Sequence, residues 1–119
     1  YRSMAESAMN AVSDIMRQAP SGVPVWMSAL DFQSSAPLEL AVFGNADDPA
    51  TRELLDVIHG KYLPNRVIVG APDGSQGSVS PLLEGRGLID GGPAVYVCEN
   101  YACKLPATAP EVLSGQLDR

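Results

Sequence analysis

Between Leu38 and Val69 the chain runs from a short apolar stretch through a capped amphipathic stretch to a second apolar stretch, and this order constrains the fold more than any other feature. Leu38 to Phe43 has the length and composition of a buried strand, and Gly44 ends it. Asp48 stands where an N-cap is needed, with Pro49 at the first helical position, where a missing N–H costs nothing. Leu54, Leu55, Ile58 and Tyr62 follow at helical spacing as a buried stripe, while Gly60 weakens the helix near its end. Leu63-Pro64-Asn65 turns the chain and Arg66 to Val69 reads as a second strand. Strand, helix and strand with short connections make a right-handed crossover, which sets the two strands parallel in one sheet.

The segments on either side extend that unit. Met4, Ala8, Ala11, Val12, Ile15 and Ala19 recur at helical spacing, and Pro20-Ser21-Gly22 ends that helix. Val25 to Phe32 is a second helical stretch, apolar nearly all round, as expected of a helix packed between other elements, with Trp26 as a core residue. Gly70 to Ser80, with three glycines and three serines, reads as a surface loop without chemistry of its own. Pro81-Leu82-Leu83 returns to the core, Asp90-Gly91-Gly92 turns, and Ala94 to Cys98 is a third strand with Cys103-Lys104-Leu105 as a short antiparallel partner. Thr108-Ala109-Pro110-Glu111 has the form of a capping box, after which Val112, Leu113 and Leu117 would face the sheet. The expected fold class is α/β: a helical hairpin over residues 1–35, then a small β-α-β-β-α unit over residues 36–119 with a largely parallel sheet of three to four strands.

Composition narrows the function classes. With 119 residues, 45% apolar and 18% charged, the chain has enough apolar surface for a folded core. A net charge of −6 with scattered basic residues leaves no cationic stripe for nucleic acid. The apolar run from Gly22 to Phe32 is short of the ~20 residues that cross a bilayer and contains Asp31, so no membrane partner is expected. The chain opens Tyr1-Arg2-Ser3, with neither an initiator methionine nor a basic leader, which reads as a cut within a longer chain.

One segment carries a specific resemblance. Pro93-Ala94-Val95-Tyr96-Val97-Cys98-Glu99-Asn100-Tyr101-Ala102-Cys103-Lys104-Leu105-Pro106-Ala107-Thr108 resembles the closing motif of the thioredoxin-domain-containing, spermatogenesis-associated protein 20-like family. Leu30-Asp31-Phe32, the strand ending at Gly44, Leu63-Pro64-Asn65, Pro81-Leu82-Leu83 and Ile89-Asp90-Gly91 stand in the matching order, so the resemblance covers nearly the whole chain. It implies a parent with a thioredoxin-like domain, a helical toroid similar to those of sugar epimerases and glycosidases, and a closing α/β region. Residues 1 to about 35 would then be the last helices of the toroid. The resemblance carries no catalytic residue onto this sequence, because the thioredoxin-like cysteine motif and the toroid cavity lie outside it.

The candidate chemistry is therefore sparse. Cys98 and Cys103 are the two cysteines, and a hairpin would set them opposite each other on paired strands, with Cα atoms ~4.5 Å apart at a non-hydrogen-bonded site. The plainest reading is two small buried hydrophobes. A disulfide is a second, and half of a zinc site, which His59 on a separate helix does not complete, is a third. As a redox pair they would exchange electrons with the parent's thioredoxin-like domain, as the resemblance implies. His59 belongs in the last turn of its helix as an exposed residue. The junction Gly44-Asn45-Ala46-Asp47-Asp48 lacks the glycine spacing that cradles pyrophosphate, and Asp31, Asp47 and Asp48 read as cap and solvated charges before cation ligands. No cofactor, metal site or catalytic residue is expected. The expected function is a non-catalytic C-terminal structural module, whose partners are the helical toroid and the thioredoxin-like domain of its own parent chain; the compartment is not written in these residues, although a cytoplasmic one is favoured. The alternative is part of a thiol-disulfide oxidoreductase or a sugar-modifying enzyme, with Cys98 and Cys103 as the redox pair.

Overall fold

The computed structural model describes residues 1–76, 79–100 and 102–118, so part of the Gly70–Ser80 loop and Tyr101 of the closing motif lie outside the described residues. The chain divides into two units, Tyr1–Ala36 and Pro37–Arg119.

The first unit is helical. Its opening helix is broken into α1 (Arg2–Ala11) and α2 (Ser13–Gln18). At the break the β-branched Val12 takes φ −106° and ψ 7°, and its N–H bonds to Met9 O at 3.2 Å, a three-residue closure that tightens the turn. The break changes the buried face: Met9 and Met16 are buried, while Met4 and Ile15 of the expected stripe are 69% and 53% exposed. A short 3-10 turn at Pro20–Gly22 leads to α3 (Pro24–Ser34). No residue of α3 is buried, Trp26 is only half-buried, and Val25 is 79% exposed.

The second unit is built on β1 (Leu38–Phe43), which pairs in parallel with β2 (Arg66–Ala71) through α4 (Pro49–Gly60). The Asp48 carboxylate accepts from Ala50 N at 3.1 Å and Pro49 opens the helix, as the sequence requires. Thr51, Leu54 and Ile58 are the buried positions of α4, whereas Tyr62 lies beyond the helix and is 90% exposed. After a long connection, β3 (Ala94–Glu99) returns antiparallel on the other side of β1, followed by β4 (Ala102–Cys103) and α5 (Pro110–Leu117).

Sheet order is β2-β1-β3-β4, and only the β1–β2 pair is parallel. The α/β class stands, but the sheet is mixed rather than largely parallel. Only β2 is reached through a crossover helix; β3 arrives by a loop that ends in a tight turn and so enters from the opposite end. That turn has Ile89 and Gly92 exchanging both N–H···O bonds at 3.0 and 2.9 Å around Asp90 and Gly91, both at positive φ.

Both faces of β1 are covered, and this is why it is apolar at every position but Glu39. Leu38, Leu40 and Val42 pack with Leu54, Ile58, Val95, Val97, Leu113 and Leu117 on one face. Ala41 and Phe43 pack with Ala71 and Leu83 on the other, where the Phe43 and Tyr96 rings meet edge to face at 5.7 Å.

The capping box does not form. Ala109 is the N-cap of α5, and no side chain caps the helix. A residue before proline is driven out of the helical region, and Ala109 is extended at φ −126° and ψ 144°, so it cannot serve as the first helical residue after Thr108. The start moves to Pro110 and turns Val112 outward, 52% exposed, while Leu113 and Leu117 face the core.

Candidate functional site

The depressions lined by described residues include three with bearing on function. In the first unit an open groove of about 640 Å³ is lined by Met9, Met16, Met27 and Leu30 together with polar residues of α1 and α3. At the carboxyl ends of β1 and β2 a second, of about 410 Å³, lies between Gly44, Thr51, Ile68 and Pro72. The Asp48 carboxylate is spent there on capping, and Asp47 faces Arg52 at 3.4 Å on the exposed surface. The third holds the chain's distinctive chemistry: about 230 Å³ between Glu39, Pro81, Leu82, Arg86, Cys98 and Cys103.

The β3–β4 hairpin builds this site. Lys104 N–H donates to Val97 O at 2.9 Å, which makes Val97 and Lys104 a hydrogen-bonded pair and leaves Cys98 and Cys103 at the adjacent non-hydrogen-bonded position. Their Cα atoms are 3.9 Å apart and the two sulfurs are joined. The reading of two unlinked buried hydrophobes therefore gives way to a cross-strand disulfide, for the steric reason that opposed side chains at such a position point to the same face. Cys98 is 1% exposed, whereas Cys103 lies on the surface of the edge strand.

Two side chains that sequence reasoning passed over complete the site. Arg86 Nη1 donates to the carbonyls of Leu82, Pro81 and Glu84 at 2.8, 3.3 and 3.4 Å, so the turn fixes the guanidinium plane. Its Nη2 then points at Cys103 Sγ, 3.0 Å away. Glu39 lies opposite Cys98 in the β1–β3 register, and its Oε2 is buried without a hydrogen-bond partner. A buried polar atom left unpaired costs about 1–3 kcal/mol and calls for an explanation. The signal for Glu39 was visible as the one charge inside the apolar run Leu38–Phe43. Arg86 had none, since an arginine between two loop glycines looks like any solvated charge.

His59 is exposed in the last turn of α4 and lines none of these depressions. Among the described residues no three His, Cys, Asp or Glu side chains gather into a metal-sized cluster, and no helix is long and apolar enough to cross a membrane.

No family model matches the chain, and no solved structure matches it. Curated sequences do match: spermatogenesis-associated protein 20 of Homo sapiens is 30% identical over 105 residues, covering 86% of this chain. The proteins of the same name from Rattus norvegicus and Mus musculus are 30% and 29% identical over the same length. The chain is homologous to one segment of spermatogenesis-associated protein 20. It spans 13% of the length of each of these relatives. Spermatogenesis-associated protein 20 is thus a much larger molecule, and the homology is to a part of it.

Proposed function

We propose that this chain is a C-terminal structural module of a larger protein, in which it packs against a helical toroid and helps position a thioredoxin-like domain. The observation that carries this is the first unit's incomplete burial: α3 has no buried residue, and Met4, Ile15, Val25, Leu30 and Phe32 are exposed. Apolar side chains concentrated on one short helical unit, beside an open methionine-lined groove, suit a surface that other polypeptide covers. The length relation to the relatives supports the same reading.

Covering that surface should protect it. With Val25→Cys as a reporter, maleimide labelling should be at least tenfold slower in the full-length parent than in the 119-residue chain. Equal labelling rates in the two would sink the proposal.

A second reading is favoured by a different observation, the contact of Arg86 with one sulfur of the Cys98–Cys103 bond. Under it the pair is a redox-active element of a thiol-disulfide oxidoreductase. Replacing both cysteines by serine in the full-length protein separates the two readings. A purely structural module keeps the parent's activity, and a redox element loses it while the fold persists.

A further inference from the structure

We propose that the hairpin is a thiol-disulfide exchange site with divided roles: Cys103 is the attacking sulfur, Arg86 holds its thiolate, and Glu39 takes the proton from Cys98. The co-reactant is a disulfide carried on an extended peptide. This rests on the redox reading of the pair and adds an order of events and two positioning residues to it.

The division follows from the asymmetry of the hairpin. Cys103 is exposed on the edge strand and can be reached by a partner, while Cys98 is 1% exposed and cannot. In the reduced state a cation 3.0 Å from Cys103 Sγ favours the thiolate over the thiol, and the three carbonyls on Nη1 keep that cation in place. Cys98 has a carboxylate instead, from Glu39 across the ladder, with an oxygen free to accept a proton. Glu39 and Arg86 are the charged side chains lining the depression; the neighbouring Lys104 gives its ammonium to Gln116 O at 2.6 Å. A volume of about 230 Å³ suits a disulfide and one flanking side chain rather than a larger ligand, and the two-residue edge strand β4 leaves room for an extended segment alongside.

The steps balance. The Cys103 thiolate attacks one sulfur of the peptide disulfide, forming a mixed disulfide and releasing the peptide's other sulfur as a thiolate. Glu39 accepts the Cys98 proton, and the resulting Cys98 thiolate attacks Cys103 Sγ. The Cys98–Cys103 bond forms, the second peptide sulfur leaves as a thiolate, and the proton on Glu39 passes to it or to water. Two electrons move from the hairpin dithiol to the peptide, and a second dithiol is needed to reduce the hairpin again. The structure shows the oxidised end of this cycle.

The test is stopped-flow reaction of the reduced, intact protein with glutathione disulfide from pH 5 to 9, with mass spectrometry of quenched samples. The wild-type protein should form the mixed disulfide at Cys103 first, and Cys98→Ser should trap it there. Arg86→Ala should move the midpoint of the first phase up by about one pH unit. Near pH 6 that cuts the thiolate about tenfold while raising its intrinsic reactivity about threefold, a net loss of about threefold. Arg86→Lys should restore most of the rate. Glu39→Gln should leave the first phase alone and slow the second at least tenfold. If Cys98 reacts first, or the Arg86 and Glu39 variants follow the wild-type profile, the division of roles is wrong while the redox reading survives. Wild-type thiols that stay inert to glutathione disulfide refute both, with no variant needed.

Discussion

Gly44 offers the sharpest test of the packing around the β1–α4 junction. Its φ is +145°, where side chains other than hydrogen are strained, and a Cβ built there would lie 2.3 Å from Thr51 Oγ1 and 2.9 Å from Pro93 Cβ. Thr51 is 2% exposed, and Gly44 links the central strand to α4. The backbone strain is worth about 1–3 kcal/mol, and forcing one added carbon against these two neighbours costs about 1–3 kcal/mol more. Gly44→Ala should therefore destabilise the chain by about 2–6 kcal/mol, a large share of the ~5–15 kcal/mol that holds a domain of this size. With a urea slope of about 1–3 kcal/mol/M, the unfolding midpoint should fall by at least about 0.7 M without a change of slope. Adding Thr51→Ala removes the shorter overlap but neither the strain nor Pro93, so the double variant should regain only part of the loss. Gly60 is the control: a Cβ there meets nothing within 4 Å, and Gly60→Ala should be neutral or stabilising by up to about 1 kcal/mol. A Gly44→Ala midpoint within about 0.2 M of wild type would refute the reasoning.

Asp48→Ala removes the carboxylate that caps α4 and should cost about 1 kcal/mol in the same urea assay. Leu113→Ala, at a fully buried position against the sheet, should cost about 2–5 kcal/mol, and a loss below 1 kcal/mol would mean that α5 is not docked as described. Asp73 accepts hydrogen bonds from the Ser75 side chain and backbone, which hold its carboxyl below the ordinary aspartate value of 3.8. Since the folded value is the lower one, the stabilisation is present above the unfolded value and fades as pH falls through the folded one. Carboxyl titration by NMR should show the depressed midpoint in the wild-type chain and a return towards 3.8 in Ser75→Ala.

What could be read in advance was what local chemistry decides. The crossover from Leu38 to Arg66 was legible because Asp48 and Pro49 can begin a helix in few other ways, and the Cys98–Cys103 register followed from the hairpin spacing alone. Sheet order was not legible, since nothing between Ser80 and Pro93 says whether β3 will join β1 or β2; the shared burial of Val95 and Val97 with Leu40 decides it. The capping box misled because the Thr and Glu spacing was read without the proline between them, whose ring moves the helix start by one residue, from Ala109 to Pro110. The apolar stripe of α1 and α2 failed at Val12, where one tightened turn rotates everything after it. At the site, Glu39 was readable as a charge among apolar neighbours, while the aim of Arg86 depends on three carbonyls that converge only in the folded turn.

The central place of β1 has a consequence for how the molecule is made. Emerging from the ribosome, the chain can complete β1, α4 and β2 as a local unit, yet the other flank of β1 stays bare until some twenty further residues have been added and β3 arrives. For that interval a greasy strand presents its unsatisfied amides to any neighbour, the circumstance in which nascent chains stick to one another. Premature termination anywhere before Glu99 should thus yield insoluble product rather than a smaller folded domain.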